Sequence, residues 1–192
     1  MTPAKQEAPT AVNDNVGGKN TGEDVEANFN TSCTIENALL KALIWCPARL
    51  VLDVASSLEE DDFFNEHARI VYRAILTVAS DHDAEEYGDS ALPPISVVNA
   101  LRATGNYGDT IHHLMLSIVA TGEPAPIPPM VHQLARYLRV ERLRRALDTA
   151  GRELIAASQD SHDHILVAIG RTQHLQALAR RAGVERQAGG GE

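Results

Sequence analysis

Residues 59 to 76 read EEDDFFNEHARIVYRAIL: four consecutive carboxylates, two phenylalanines and, just inside the helical pattern that follows, a histidine. Clustered carboxylates can hold a divalent cation or divide general acid and base roles between them. The spacing argues against both. Side chains of consecutive residues in a turn point apart, and acids placed just before a helix interact favourably with its positive end. Asn65 is a plausible N-cap for that helix, whose apolar stripe is Ile70, Val71, Ala74, Ile75 and Val78. His67 falls on the side of Val71, Ala74 and Val78, where a lone histidine reads as a satisfied boundary residue. Aromatics make up only 4% of the chain, so Phe63 and Phe64 are expected to anchor the turn against the first helix.

Other candidates for chemistry are scattered. The His-Asp steps at His82-Asp83 and His162-Asp163 invite comparison with metal-dependent phosphohydrolases that use such a dyad. There the dyad sits within a helix and further ligands converge on one pocket; here both steps fall in or beside predicted turns. The stretch GGKN at 17–20 is no phosphate loop, because Asn13 and Asn20 occupy the positions that need Gly and Ser or Thr. Arg136, Arg139, Arg142, Arg144, Arg145 and Arg152 crowd one long helical pattern. Glu141 to Arg145 and Asp148 to Arg152 have the favourable i, i+4 order, so a solvated, salt-bridged face is expected. Aromatic interleaving of the kind a single-strand platform needs is limited to Tyr137, so direct DNA binding is not expected. No cofactor and no bound metal are expected either.

The elements that would position these residues are helical. Ile35, Ala38, Leu39, Ala42, Leu43 and Cys46 repeat at helical spacing after Thr34 as a cap. A second short helix is expected from Pro47 through Leu58. Residues 80–94 read as an exposed acidic loop, followed by short helices capped by Ser96 and by Asp109 or Thr110. The proline-dense TGEPAPIPP at 121–129 is expected to be a stiff connector. From Pro129 to Ser158 one long helix is expected, and Ser161 should cap a last helix ending at Gly183. The fold class is therefore all-α: a small head of about five helices followed by a long antiparallel hairpin. We divide it into a tail at 1–31, a head at 32–122, connector and hairpin at 123–183, and a C-terminal tail at 184–192.

The formal charge is −9, and the acidic excess lies in the front half, which should repel nucleic acid. The two cysteines, the lack of a signal-like start and the absence of an apolar run of membrane length suggest a reducing, cytoplasmic setting. The hairpin residues Leu134, Leu138, Leu143, Leu147, Leu154, Ile165, Ile169, Leu175 and Leu178 exceed what one partner helix can cover. They are expected to form a self-association or partner interface, at least a dimer.

Several stretches resemble the N-terminal domain of bacterial replicative DnaB-type helicases. DDFFNEHARIVYRAI is similar to the family's EDFY and HRLIFEAI stretch, and TIENALLKAL resembles its opening helix, with Glu36, Leu39 and Leu43 at the matching positions. PPISVVNALRATG and LARYLRVERLRRALDTAGRELIAAS resemble two later helices, so the resemblance covers roughly residues 34–182. It implies that Glu36, Leu39, Leu43, Asp62, Phe63, Phe64, His67, Ile70 and Val71 shape the head rather than perform catalysis. It also implies an assembly built from paired hairpins and docking of primase or helicase partners. ATP hydrolysis in the family belongs to a following motor domain, which is expected to be absent here, so no enzyme activity is expected. The expected function is an adaptor or regulator of replicative helicase and primase. The alternatives are a mobile-element protein that caps or inhibits a host helicase, and the His-Asp hydrolase.

Overall fold

A computed structural model describes residues 34–85, 87–120, 127–159 and 162–184. The expected tail at 1–31, the prolines of the connector up to 126, the Ser161 cap and nearly all of the C-terminal tail lie outside them. Among the described residues the chain is all-helical, and the only extended pairing is an isolated antiparallel bridge between Pro47 and Ala91.

Helix α1 covers residues 34–44. Its sequence suggests one buried stripe, but Leu40 and Ile44 are as buried as Leu39 and Leu43, so neighbours cover it on most sides. Pro47 precedes α2 (Ala48–Ala55) in an extended conformation, as the residue before the helix rather than its first. A 3-10 turn follows at Glu60–Asp62. Next comes α3 (Glu66–Ala84), where the Asn65 side chain accepts a hydrogen bond from the His67 amide at 2.8 Å, as its cap pattern predicts. Ala68, Val71, Tyr72, Ile75 and Ala79 form the buried side of α3.

Helix α3 runs further than expected and takes in residues 80–84. The loop that remains is pinned to the start of α2. The amides of Ala48 and Arg49 donate to the carbonyls of Ser90 and Gly88, Leu92 is buried, and Arg49 pairs with Asp83 and Asp89. Gly88 fits there because a Cβ would stand 2.8 Å from Arg49 Nε. Helix α4 (Pro94–Ala103) starts at Pro94, so Ser96 lies inside its first turn instead of capping it, and Gly105 turns the chain with φ +72°. Helix α5 (Asp109–Val119) is preceded by Gly108 at its N-cap, which places Asp109 and Thr110 within the helix.

The long helix α6 (Pro128–Ala157) has 30 residues, about 45 Å at the standard rise. The expected single last helix is two, α7 (His162–Arg171) and α8 (Gln173–Arg181), parted at Thr172 where the hydrogen bonds tighten to three-residue spacing, and both pack back along α6. The expected boundary at residue 123 does not divide the core. Val131, Ala135 and Leu138 of α6 are fully or almost fully buried and belong to the same cluster as Leu39, Val71 and Ile75. The first turns of the hairpin are thus a wall of the head.

A candidate site where arginines clasp the acidic corner

The 3-10 turn carries its acids inward and sideways at once. Asp62, whose side chain is 1% exposed, accepts from the Glu59 amide at 2.8 Å, which closes the turn. The same carboxylate receives Arg142 Nη1 at 3.1 Å and Arg181 Nη2 at 3.0 Å. Glu59 takes both arginines as well, at 2.6 Å and 2.9 Å. Arg145 donates to the Asp62 carbonyl at 2.7 Å, and Arg139 to the Ser57 carbonyl at 3.2 Å. Below this layer Arg69 of α3 donates to the Phe63 carbonyl at 2.9 Å. Buried Glu36 of α1 accepts from the amides of Phe64 and Asn65. A single turn is therefore held by α1, α3, α6 and α8. A carboxylate deep in a low-dielectric surrounding is tolerated only with such a full set of charged and amide donors.

The environment divides these acids. Burial pushes the Glu36 carboxyl above its ordinary range, against the two amides and the positive charge of Arg145 and Arg69. The hydrogen bond from Arg142 draws the Glu59 carboxyl below its ordinary range, with Arg181 adding to the effect. Tyr72, buried against Phe63 with ring centroids 4.7 Å apart, has its hydroxyl pushed up to about 12 by burial and by the nearby Asp62 and Glu60 charges. Cys46 is buried and its thiol is pushed up to about 11 by burial, which suits packing better than reactivity.

The positions expected to matter therefore divide as follows. Glu36, Leu39, Leu43, Phe63 and Val71 are buried in the head, while His67 and Ile70 are half-buried beside them. Phe64 departs from the expectation. It is 47% exposed and lies under the Arg145 guanidinium at 5.4 Å instead of packing into the core. The expected solvated arginine face is corrected too. Arg152 does pair with Asp148 at 2.8 Å, but Glu141 is buried and pairs with Arg144 instead of Arg145. Arg142 turns toward the corner to meet Glu59 and the buried Asp62 carboxylate, and Arg145 to meet the Asp62 carbonyl, because buried acceptors must be satisfied.

Of the expected interface residues, Leu138 is fully buried in the head's core and Leu134 packs against it, so neither is free for a partner. Leu143 is buried within the chain; Ile165, Leu175 and Leu178 are half-buried; Leu147, Leu154 and Ile169 are exposed. His82 and Asp83 lie in the last turn of α3 rather than in a loop. Among the described residues no group of three or more His, Cys, Asp or Glu side chains could hold a metal ion. The side chains of His162 and Asp163 lie outside them.

Sequence reasoning missed Arg181 and the role of Ser57. A signal for part of the clasp was present, since Arg139, Arg142 and Arg145 recur at spacing three and so lie near one another on α6. Beside the clasp an open cleft of about 470 Å³ runs between the corner and the hairpin. Its lining includes Phe64, Arg145, Thr149, Glu153 and His174. Guanidinium groups do not release protons at ordinary pH, and every carboxylate of the clasp already has donors, so the arrangement is suited to fixing one element against another.

Comparison with known proteins places the chain in no family: no family model, curated protein or solved structure matches it.

Proposed function

We propose that the chain is a protein-interaction module of DNA replication, similar in plan to the N-terminal domain of DnaB-type helicases. In this reading it self-associates through its hairpin and binds a replicative helicase, a primase or both, as adaptor or regulator. The observation that carries the reading is the outer surface of the hairpin's far end. Leu147, Leu154, Ile155, Leu166, Val167 and Ile169 are all exposed there, each between 39% and 67%. Large aliphatic side chains gathered on one end of a two-layer element mark an interaction surface. The corner residues Glu36, Asp62 and Phe63 are buried and hold the head together, as the resemblance implies.

The test is direct binding. Tagged full-length protein is immobilised and offered the purified helicase and primase of its source cell, each separately. The proposal expects retention of at least one at micromolar concentration, and loss of that retention in the double variant Leu147→Asp, Leu154→Asp. Passage of both proteins through the column at tens of micromolar would remove the replication reading. The sign of the effect on helicase unwinding then separates an adaptor, which raises it, from an inhibitor, which lowers it.

A further inference from the structure

We propose that α8 is a strap, hinged at Thr172 and fastened to the head by Arg181, which borders the open cleft on α6 and widens it when the fastening is released. Three independent features of the fold meet in this element.

The hinge is visible in the backbone. Helices α7 and α8 would be one helix but for Thr172, and the hydrogen bonds there tighten to three-residue spacing. The Thr172 amide donates to the Ile169 carbonyl at 3.1 Å, and the Leu175 amide to the Thr172 carbonyl at 3.0 Å. The Thr172 hydroxyl also donates to the Ile169 carbonyl at 2.7 Å, a second claim on the same acceptor. A short 3-10 step inside a helix is where bending is easiest.

The strap itself is weakly held by apolar packing. No residue of α8 is buried; Leu175, Leu178 and Ala179 are half-covered, and complete burial is reached only at Ala182, just past its end. Its far end is instead fastened by charge. Arg181 spans Glu59 and Asp62 at 2.9 Å and 3.0 Å. Gly183, with φ +66°, turns the chain beside Arg136, whose guanidinium reaches the Gly183 carbonyl at 3.5 Å. Glu59 and Asp62 are faced by Arg142 and Arg145 of α6, with Arg69 and Arg73 of α3 and the acids Glu36, Glu60 and Asp61 nearby. If Arg181 leaves, Arg142 still neutralises the corner. The fastening can therefore open without stripping Asp62 of all its donors.

What the strap borders is the third feature. His174 of α8 lines the cleft together with Phe64, Arg145 and the α6 residues Ala146, Thr149 and Ala150. With α8 swung out, the exposed Phe64 ring and the small residues of α6 are left open on the α8 side as well.

Hydrogen exchange on the full chain tests the strap. In wild type at low salt the amides of 175–183 should be protected, and 1 M NaCl should lower their protection at least tenfold while those of α3 stay unchanged, since screening acts on partly exposed pairs. Arg181→Ala should give the same selective loss at low salt, Arg181→Lys should restore part of it, and Arg152→Ala, whose arginine pairs with Asp148 of α6, should change nothing in α8. Unchanged α8 protection in Arg181→Ala would overturn the fastening. Loss of α3 and α8 protection together, in salt or in the variant, would overturn the independent strap.

Discussion

Replacing Asp62 by Asn keeps the shape of the corner and removes its charge, so it isolates what the clasp contributes. The carboxylate has three donors: the Glu59 amide at 2.8 Å, Arg142 at 3.1 Å and Arg181 at 3.0 Å. Hydrogen bonds to a charged group contribute about 1.5–3 kcal/mol each, and removing one partner of a buried ion pair costs about 3–5 kcal/mol. Both figures need reducing here, because the arginine side chains are 20% and 28% exposed and keep Glu59 as a second acceptor. Water and Glu59 together recover part of the loss. The expected destabilisation is about 2–4 kcal/mol. For a chain of this length that corresponds to a fall in Tm of about 4–16 °C. Thermal melts followed by circular dichroism and urea titrations at pH 7 measure it. Glu60→Gln is the internal comparison, since Glu60 is 49% exposed and pairs only with the exposed Arg73; its change should stay within about 0.5 kcal/mol. A loss at Asp62 no larger than that at Glu60 would refute the argument that the buried clasp, rather than apolar packing alone, fixes the corner.

Other outcomes follow from the same geometry. Burial raises the Glu36 carboxyl, so the folded state holds its proton more tightly than the unfolded chain, and its contribution to stability falls as pH rises from about 4.5 through the folded value. Wild type should lose stability relative to Glu36→Gln over that window in urea titrations from pH 4 to 7; a difference independent of pH would contradict it. Glu59 runs the opposite way, because its carboxyl is lowered by the hydrogen bond from Arg142. Its contribution is complete above about 4.5 and is lost as pH falls through the folded value, so Glu59→Gln should flatten the acid limb of the same titration. Gly105→Ala has open space for its Cβ but must adopt φ +72°, and should cost about 1 kcal/mol in urea midpoint analysis; no change would mean that the turn relaxes. Sedimentation at tens of micromolar should find wild type as a dimer or larger. Leu147→Asp with Leu154→Asp should give monomers with an intact head, and a wild-type monomer would remove self-association from the proposal.

Much of the local structure was legible in the residues. The stripe of Val71 and Ile75, the Asn65 cap, the length of α6 and the stop at Gly183 follow from rules that act within one or two turns. They depend on side-chain periodicity and on backbone groups that must find partners nearby. Phe63 in the core was readable for the same reason, as one of few aromatics next to an apolar stripe. Phe64 was not, because adjacent residues point apart and only the packed neighbours decide which of the two is covered.

The sequence by itself determined that the described residues are helical and where most of their helices lie. Only the tertiary structure decided what the charges do. Arg181 meets Asp62 across 119 residues, and Arg142 meets it across 80. Such pairs depend on how far α6 is rotated about its axis and on where α8 returns along it, and no local spacing encodes either. On the sequence, Glu141 stands one turn before Arg145 and promises an ordinary surface pair. In the fold, Arg145 instead lies over Phe64 and reaches the Asp62 carbonyl. Glu141 is itself buried and takes Arg144, while the carbonyl and carboxylate of buried Asp62 take Arg145 and Arg142, because a buried acceptor must find a donor. That choice of partners, decided by burial, turned a surface charge pattern into the clasp between head and hairpin.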